Sequence, residues 1–378
     1  MKKLLKNIIC LSLMFVVASF AFSVNFGVNL NTTFGIFDSN VFPSKDSNML
    51  LSEKADLWMV NSFNDNILLR VQGSYELGYD FKTIYNQLDL SCLKLEMEFD
   101  ISRDSTLNID LGRFYVSDTN SAVYGNLIDG VNATLNLEDV EMDLFCGYTG
   151  LLNANSISIV NSSKEKDSNK IYSLASGFLV AGNSLVANDI WKNNSISYDV
   201  FAFVPMGNVE TRSTSIYGKA SLFGNINSNF YHDFSAILGL FYGEKTTTGF
   251  VFDENFGWYP PFMNSTLGLN VLYASENYYP FIDSGIVMGE DISLNGLLKI
   301  GLNASIKPLT NLYIGLMGDF VMDSKENKII TDCFQWSSSL SWQIFSDMMF
   351  NINLIQKIPL NESVIPGFMG VASLVVNI

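Results

Sequence analysis

Residues 67–81 read ILLRVQGSYELGYDF, and every odd position from Ile67 to Phe81 is apolar, aromatic or glycine. Between them stand Arg70, Gln72, Ser74, Glu76 and Asp80. A period of two places successive side chains on opposite faces of an extended strand, so this segment has one apolar and one polar face. Strands in soluble domains run to about five or six residues. A strand tilted across a bilayer needs roughly 9–11, and more if it projects beyond the surface.

The pattern recurs along the chain. VNFGVNLNTTF sets Val24, Phe26, Val28, Leu30 and Phe34 against asparagines, and LKLEMEFDI alternates Leu93 to Ile101 with Lys94, Glu96, Glu98 and Asp100. ISLNGLLKIGLNASI keeps it from Ile292 to Ile306. All eight prolines lie in the intervening polar segments or at strand ends, where a missing N–H is tolerated. No helical period and no low-complexity linker interrupts the series. The expected strands number eighteen, from 24–35 to 368–378, and include 53–62, 171–182, 195–204, 247–258 and 292–306. Gaps after even-numbered strands are short and gaps after odd-numbered strands long, except at 82–86, 183–194 and 244–246. Short turns on one rim and long loops on the other predict an all-β fold: a transmembrane, antiparallel, up-and-down barrel. Lipid offers no partner for an open sheet edge, so the sheet must close. About eighteen strands are expected, sixteen being the neighbouring even count. Phe34, Tyr79, Phe81, Tyr148 and Tyr242 at one set of strand ends, and Phe26, Phe99, Trp342 and Phe350 at the other, suit two interfacial girdles.

Residues 1–23 open with Lys2, Lys3 and Lys6, continue through an apolar run from Ile8 to Phe22, and carry Ala18, Ala21 and Ser23 near its end. That is the layout of a Sec-type signal peptide, which predicts export to the cell outer membrane and a single barrel domain over 24–378. Removing residues 1–23 takes three lysines away and leaves 19 basic against 38 acidic side chains. So acidic a chain is unsuited to nucleic acid. Cys92, Cys146 and Cys333 match no metal or redox spacing, and His232 is the sole histidine. No cofactor or metal is expected. In FYHDFSA, Phe234 stands where an outer-membrane phospholipase has its serine, and His232 falls at the wrong rim for an omptin-type protease. An enzyme is not expected.

With these features the chain resembles a bacterial outer-membrane porin. LGRFYVSDTNSAVYGNLIDGVNATL (111–135) is similar to the Gly-Arg strand end and Asp-Gly strand start of alginate-export-like and related large porins, at Gly112, Arg113, Asp129 and Gly130. The resemblance implies that Arg113 lines the pore. Its own register, shared with Leu107, Ile109 and Leu111, aims it at lipid instead. A bulge at Gly112 that turns it inward and a head-group contact near the interface are the two outcomes open. The last strand, 368–378, resembles the signal read by the barrel-assembly machinery, with Ile378 in place of the usual terminal aromatic.

If the apolar register meets outer-membrane lipid, the polar register lines a lumen. Glu76, Asp80, Glu96, Glu98, Asp100, Asp110, Glu141, Asp143, Asp199 and Asp319 then point inward against Arg70, Lys94, Lys219 and Lys299. Such a wall attracts cations and slows anions. The expected function is passive passage of small hydrophilic solutes, cations preferred. The alternative is a barrel-anchored adhesin or ligand-binding protein acting through long loops such as NSSKEKDSNK (161–170). A homotrimer is compatible with an apolar outer wall.

Overall fold

The computed structural model describes residues 23–38, 49–79, 84–119, 122–154, 157, 170–206, 214–243, 245–262, 264–281, 294–325, 328–362 and 364–378. Most of the expected leader, residues 1–22, lies outside the described residues, as do Asp80 and Phe81. The strands are β1 (Ser23–Phe37), β2 (Met49–Asn64), β3 (Ile67–Tyr79), β4 (Ile84–Ser102) and β5 (Ser105–Ser117). Next come β6 (Gly125–Asn136), β7 (Val140–Tyr148), β8 (Phe178–Trp191), β9 (Asn194–Pro205) and β10 (Thr214–Asn227). They are followed by β11 (Phe230–Tyr242), β12 (Thr247–Trp258), β13 (Thr266–Ala274) and β14 (Leu297–Leu309). The series ends with β15 (Leu312–Lys325), β16 (Lys328–Phe345), β17 (Met348–Pro359) and β18 (Gly367–Asn377).

All eighteen form one antiparallel sheet in which each strand pairs with its sequence neighbours and β1 also pairs with β18. Ile378 completes the closure by exchanging backbone hydrogen bonds with Val28, at 3.0 and 2.9 Å. Closure removes the two free edges that an open sheet would present to lipid. Alternation decides which face is which. In β3, Tyr75, Leu77 and Tyr79 are exposed while Ser74 and Gly78 are buried. In β10, buried Ser215, Tyr217, Lys219 and Ser221 alternate with outward positions that end in exposed Leu222. Phe26, Phe99 and Trp342 are exposed near the short-turn rim, and Phe34, Tyr79 and Tyr242 near the other. Tyr148 and Phe350 are half-buried.

The short-turn rim is tighter than the sequence suggested, while on the other rim the expected long gap 323–332 shrinks to 326–327, because β15 runs to Lys325 and β16 starts at Lys328. Residues 65–66, 103–104, 137–139, 192–193, 228–229, 310–311 and 346–347 link even strands to the next, and only 259–265 is longer. The expected long gap at 183–194 does not exist, because β8 runs to Trp191. Lys192 and Asn193 both take positive φ, 46° and 65°, the backbone of a tight two-residue hairpin turn. The expected strand 171–182 is correspondingly displaced to 178–191. Ile171 is engaged elsewhere: its carbonyl accepts from the backbone N–H of Leu88, 2.8 Å away on β4.

That contact marks a departure from a regular barrel. β4 and β5 pair from Ser102↔Ser105 only up to Leu93↔Arg113. Beyond a bulge between Leu90 and Cys92, β4 stays with β3 but leaves β5. Residues 149–154 and 170–177 of the β7–β8 connection reach into this split. Its limbs hold each other through Ala154 N–H to Ser173 O and Ala175 N–H to Leu152 O, and Asn153 Nδ2 donates to Leu88 O on β4.

Candidate functional site: the inner wall and its infolded loops

Two connections turn into the barrel. In the first, 118–124, Asp118 accepts backbone N–H bonds from Ala122, Val123 and Tyr124, which ties the two described ends of the segment to one carboxylate. The same carboxylate takes the Lys219 ammonium of β10 at 2.6 Å, and both side chains are wholly buried. Thr119 bridges Ser197 Oγ and Asp199 on β9, at 2.9 and 3.0 Å. Lys219, Ser197 and Asp199 all lie on the inward register, so a segment leaving β5 is tied to β9 and β10 through the interior.

The second, of which 275–281 and 294–296 are described, brings Tyr278 and Phe281 against the inner faces of β9 and β10. Phe281 stacks on Phe203 with 3.7 Å between centroids, and Tyr217 Oη donates to Tyr279 O at 2.7 Å. Gly249 on β12 has no side chain where this segment passes, and a Cβ there would lie 2.4 Å from the Tyr278 backbone. Tyr124 of the first connection stands 6.0 Å from Phe281 of the second. Tyr124, Phe178, Phe201, Phe203, Tyr217, Tyr278 and Phe281 are all at most 2% exposed. An aromatic core therefore sits inside the barrel along this part of the wall. Residues facing one another across a lumen do not show in a strand's own alternation.

The remaining predicted residues fall as follows. Arg70, Lys94, Glu96 and Asp110 meet across β3–β5: Glu96 takes Arg70 at 2.6 Å and Lys94 at 2.7 Å, and Lys94 reaches Asp110 at 3.2 Å. Glu76 accepts from Tyr85 Oη at 3.1 Å. Glu98 and Asp100 are exposed near the turn at 103–104. Asp143 accepts from Thr134, and Glu141 is exposed beside it on the inward register of β7. Asp199 is buried and takes Ser184 as well as Thr119. Lys299 and Asp319 approach to 4.0 Å on β14 and β15.

Two residues differ from expectation. Lys219 does not face open lumen but anchors the 118–124 segment. Arg113 takes neither of its two expected courses. The β5–β6 ladder runs uninterrupted through Gly112↔Gly130 and Arg113↔Asp129, so no bulge turns the side chain inward. It keeps the register of exposed Leu111 and Tyr115, yet is only 6% exposed, because the β7–β8 connection covers it. Its guanidinium donates to Asp129 twice, at 2.7 and 2.8 Å, and to Leu90 O, Leu151 O and Tyr172 Oη at 3.0–3.2 Å. All five N–H donors of the fork are satisfied. Gly112 assists by a φ of +122° with Leu93 O lying 2.1 Å from where its Cβ would be. Arg113 is a fastening across the β4–β5 split.

Inward charges that the sequence reading omitted include Lys54 paired with Asp56 at 3.1 Å, Asp253 beside Asn270, Asp233 and Asp323, and buried Lys357. Asp118 was missed because it lies in a polar gap, where an acid ordinarily signals a solvated loop. Cys92, Cys146 and Cys333 are free thiols, and His232 Nε2 is 2.9 Å from Asn194 Oδ1 at the short-turn rim. Among the described residues no cluster of His, Cys, Asp and Glu suits a metal ion.

No protein-family model matches the chain, and no curated relative matches it. Solved structures do. OccK5 (OpdH) of Pseudomonas aeruginosa superposes with a TM-score of 0.64 at 9% identity, over 94% of this chain and 98% of that one. The outer membrane protein OpdK of the same organism gives 0.63 at 10%, with the same coverage. A BenF-like porin from Pseudomonas fluorescens Pf-5 gives 0.64 at 7%, again over 94% and 98%. This chain has their barrel fold. At such identities the likeness carries the architecture end to end and no residue's role. It does not support the narrower alginate-export-like grouping.

Proposed function

We propose that the protein is an outer-membrane channel through which small hydrophilic solutes pass by diffusion, with cations preferred. The observation that supports this most is the wiring of the 118–124 segment into the lumen wall through Asp118–Lys219 and Thr119–Asp199. An inward loop fixed by a buried ion pair narrows a barrel without closing it by chance motion, which is what a selective pore needs. Tight fastening of this kind has no use in a barrel that serves only to anchor outer loops. Outer-membrane porins among the structural neighbours support the same reading.

Cation preference follows from pairing. Lys54, Arg70, Lys94, Lys219 and Lys299 each have an acid partner on the wall or its infolded loop. Glu76, Glu98, Asp100, Glu141, Asp143, Asp199 and Asp253 have no ion-pair partner at that range among the described residues. The wall keeps an acid excess after neutralisation. Purified protein in planar bilayers under a KCl gradient tests both halves. Step currents with a reversal potential on the cation side are expected. Absence of steps would remove the channel, and an anion-side potential would remove the selectivity.

A further inference from the structure

On the inner wall of β13–β15, three acceptor oxygens find no hydrogen-bond partner although they are buried: Asn270 Oδ1 and both Asp319 carboxylate oxygens. They flank one position. Asn270 pairs with Gly301, and Gly301 with Asp319, in a single rung across the three strands. Gly301 contributes no side chain, and the Asp319 carboxylate leans over it, so that an added Cβ would lie 2.0 Å from Oδ1. Flanking strands stand roughly 10 Å apart, twice the ordinary strand spacing.

The orientation of Asn270 is fixed by its other branch. Nδ2 donates to Asp253 Oδ1 at 3.0 Å and to Asn255 Oδ1 at 2.8 Å, both on β12. Turning the amide over would set oxygen against oxygen. With Nδ2 held toward β12, Oδ1 faces the Gly301 side. An unpartnered buried carboxylate is costly. Lys299 does little to relieve it, since its ammonium stops 4.0 Å from Oδ2, beyond hydrogen-bond length. What the three oxygens lack is a compact, positively charged group with several N–H donors.

We infer that Asn270, Gly301 and Asp319 form a wall subsite for the primary ammonium group of a small solute, with Lys299 as the loose resident counter-ion that the solute displaces. The inference deepens the channel reading and rests on it for the solute's route. An ammonium presents three N–H donors, matching three acceptors, and the second carboxylate at Asp253 offsets the charge of Lys299 in the neighbourhood.

The experiment compares methylammonium with tetramethylammonium, which carries the same charge and no N–H. In Lys299→Met protein in detergent, methylammonium should raise the unfolding temperature and tetramethylammonium should not. In the Asp319→Asn, Lys299→Met double variant the rescue should vanish. In bilayers, wild-type potassium current should be interrupted by methylammonium, with the blocking constant weakened about tenfold or more in Asp319→Asn and in Gly301→Ala, whose methyl group occupies the notch. Equal effects of the two cations, or block and rescue that survive Asp319→Asn, would overturn the subsite. If wild-type protein shows no current at all, the channel reading fails, and the rescue experiment still decides the subsite. If Lys299→Met does not fold, methylammonium binding to wild-type and Gly301→Ala protein decides it.

Discussion

Replacing Lys219 by Met removes the cation from a pair in which both side chains are wholly buried and 2.6 Å apart. The methionine fills similar volume, so the change is electrostatic in the main. Asp118 would keep three backbone N–H donors but lose its counter-charge. Breaking a buried pair by deleting one partner costs about 3–5 kcal/mol, because the remaining charge is stranded. The loss has a ceiling: once it exceeds the docking free energy of the 118–124 segment, the segment leaves the wall and Asp118 regains water. Stability and conductance should therefore respond together. Urea titration followed by tryptophan fluorescence should show a loss of several kcal/mol or a smaller, capped one. Single-channel traces should in the capped case flicker between the wild-type level and a larger one. An Asp118→Asn, Lys219→Gln pair, with no charge to strand, should recover part of the loss, which a double-mutant cycle would read as coupling. Wild-type stability within about 1 kcal/mol together with an unchanged trace would refute the assignment of the pair as the anchor.

Arg113→Ala should cost about 3–5 kcal/mol and speed proteolysis within the β7–β8 connection, while Arg113→Lys recovers only part, since one ammonium cannot serve five donor positions in a planar fork. Gly112→Ala, at φ +122° against Leu93 O, should destabilise by about 1–3 kcal/mol. Gly218→Ala, with nothing within 4 Å of the new methyl, should stay within about 0.5 kcal/mol, and unfolding titrations compare the two. Glu96→Gln leaves Arg70 and Lys94 facing Asp110 alone, so the potassium-to-chloride permeability ratio should move toward unity or below it. Raising salt from 0.1 to 1 M should shrink the wild-type ratio as screening shortens from about 10 to about 3 Å.

The barrel was legible because its cause is local. Lipid on one side and polar lumen on the other impose a period of two that survives residue by residue, so strand count and rim assignment could be read from Ile67–Phe81 and its counterparts. Register carried over equally well to Arg70, Lys94, Glu96 and Asp110, which sit on adjacent strands and meet as alternation requires. What could not be read is whatever depends on a loop's destination. Asp118 and Lys219 are about a hundred positions apart, and nothing near either names the other. Phe281 lies outside every expected strand and is a core residue, because the interior of a barrel is a second place for apolar side chains that strand parity does not record. Ile171 continued a plausible alternation yet belongs to the cover over Arg113. The bulge between Leu90 and Cys92 shifts parity from Leu88 and Leu90 to Leu93 and Leu95, a signal present in the letters but meaningful only once β4 is seen to leave β5.

A hoop resists spreading only as well as its weakest join. Around most of this one, adjacent ribbons are stitched by many parallel backbone links, so tension at any height is shared. At the level of Leu90 the stitching stops, and the circumference is carried instead across one guanidinium and the folded segment it grips. Sideways pull on the wall at that height, from membrane tension or a crowding neighbour, would be borne by side-chain contacts and not by a backbone ladder.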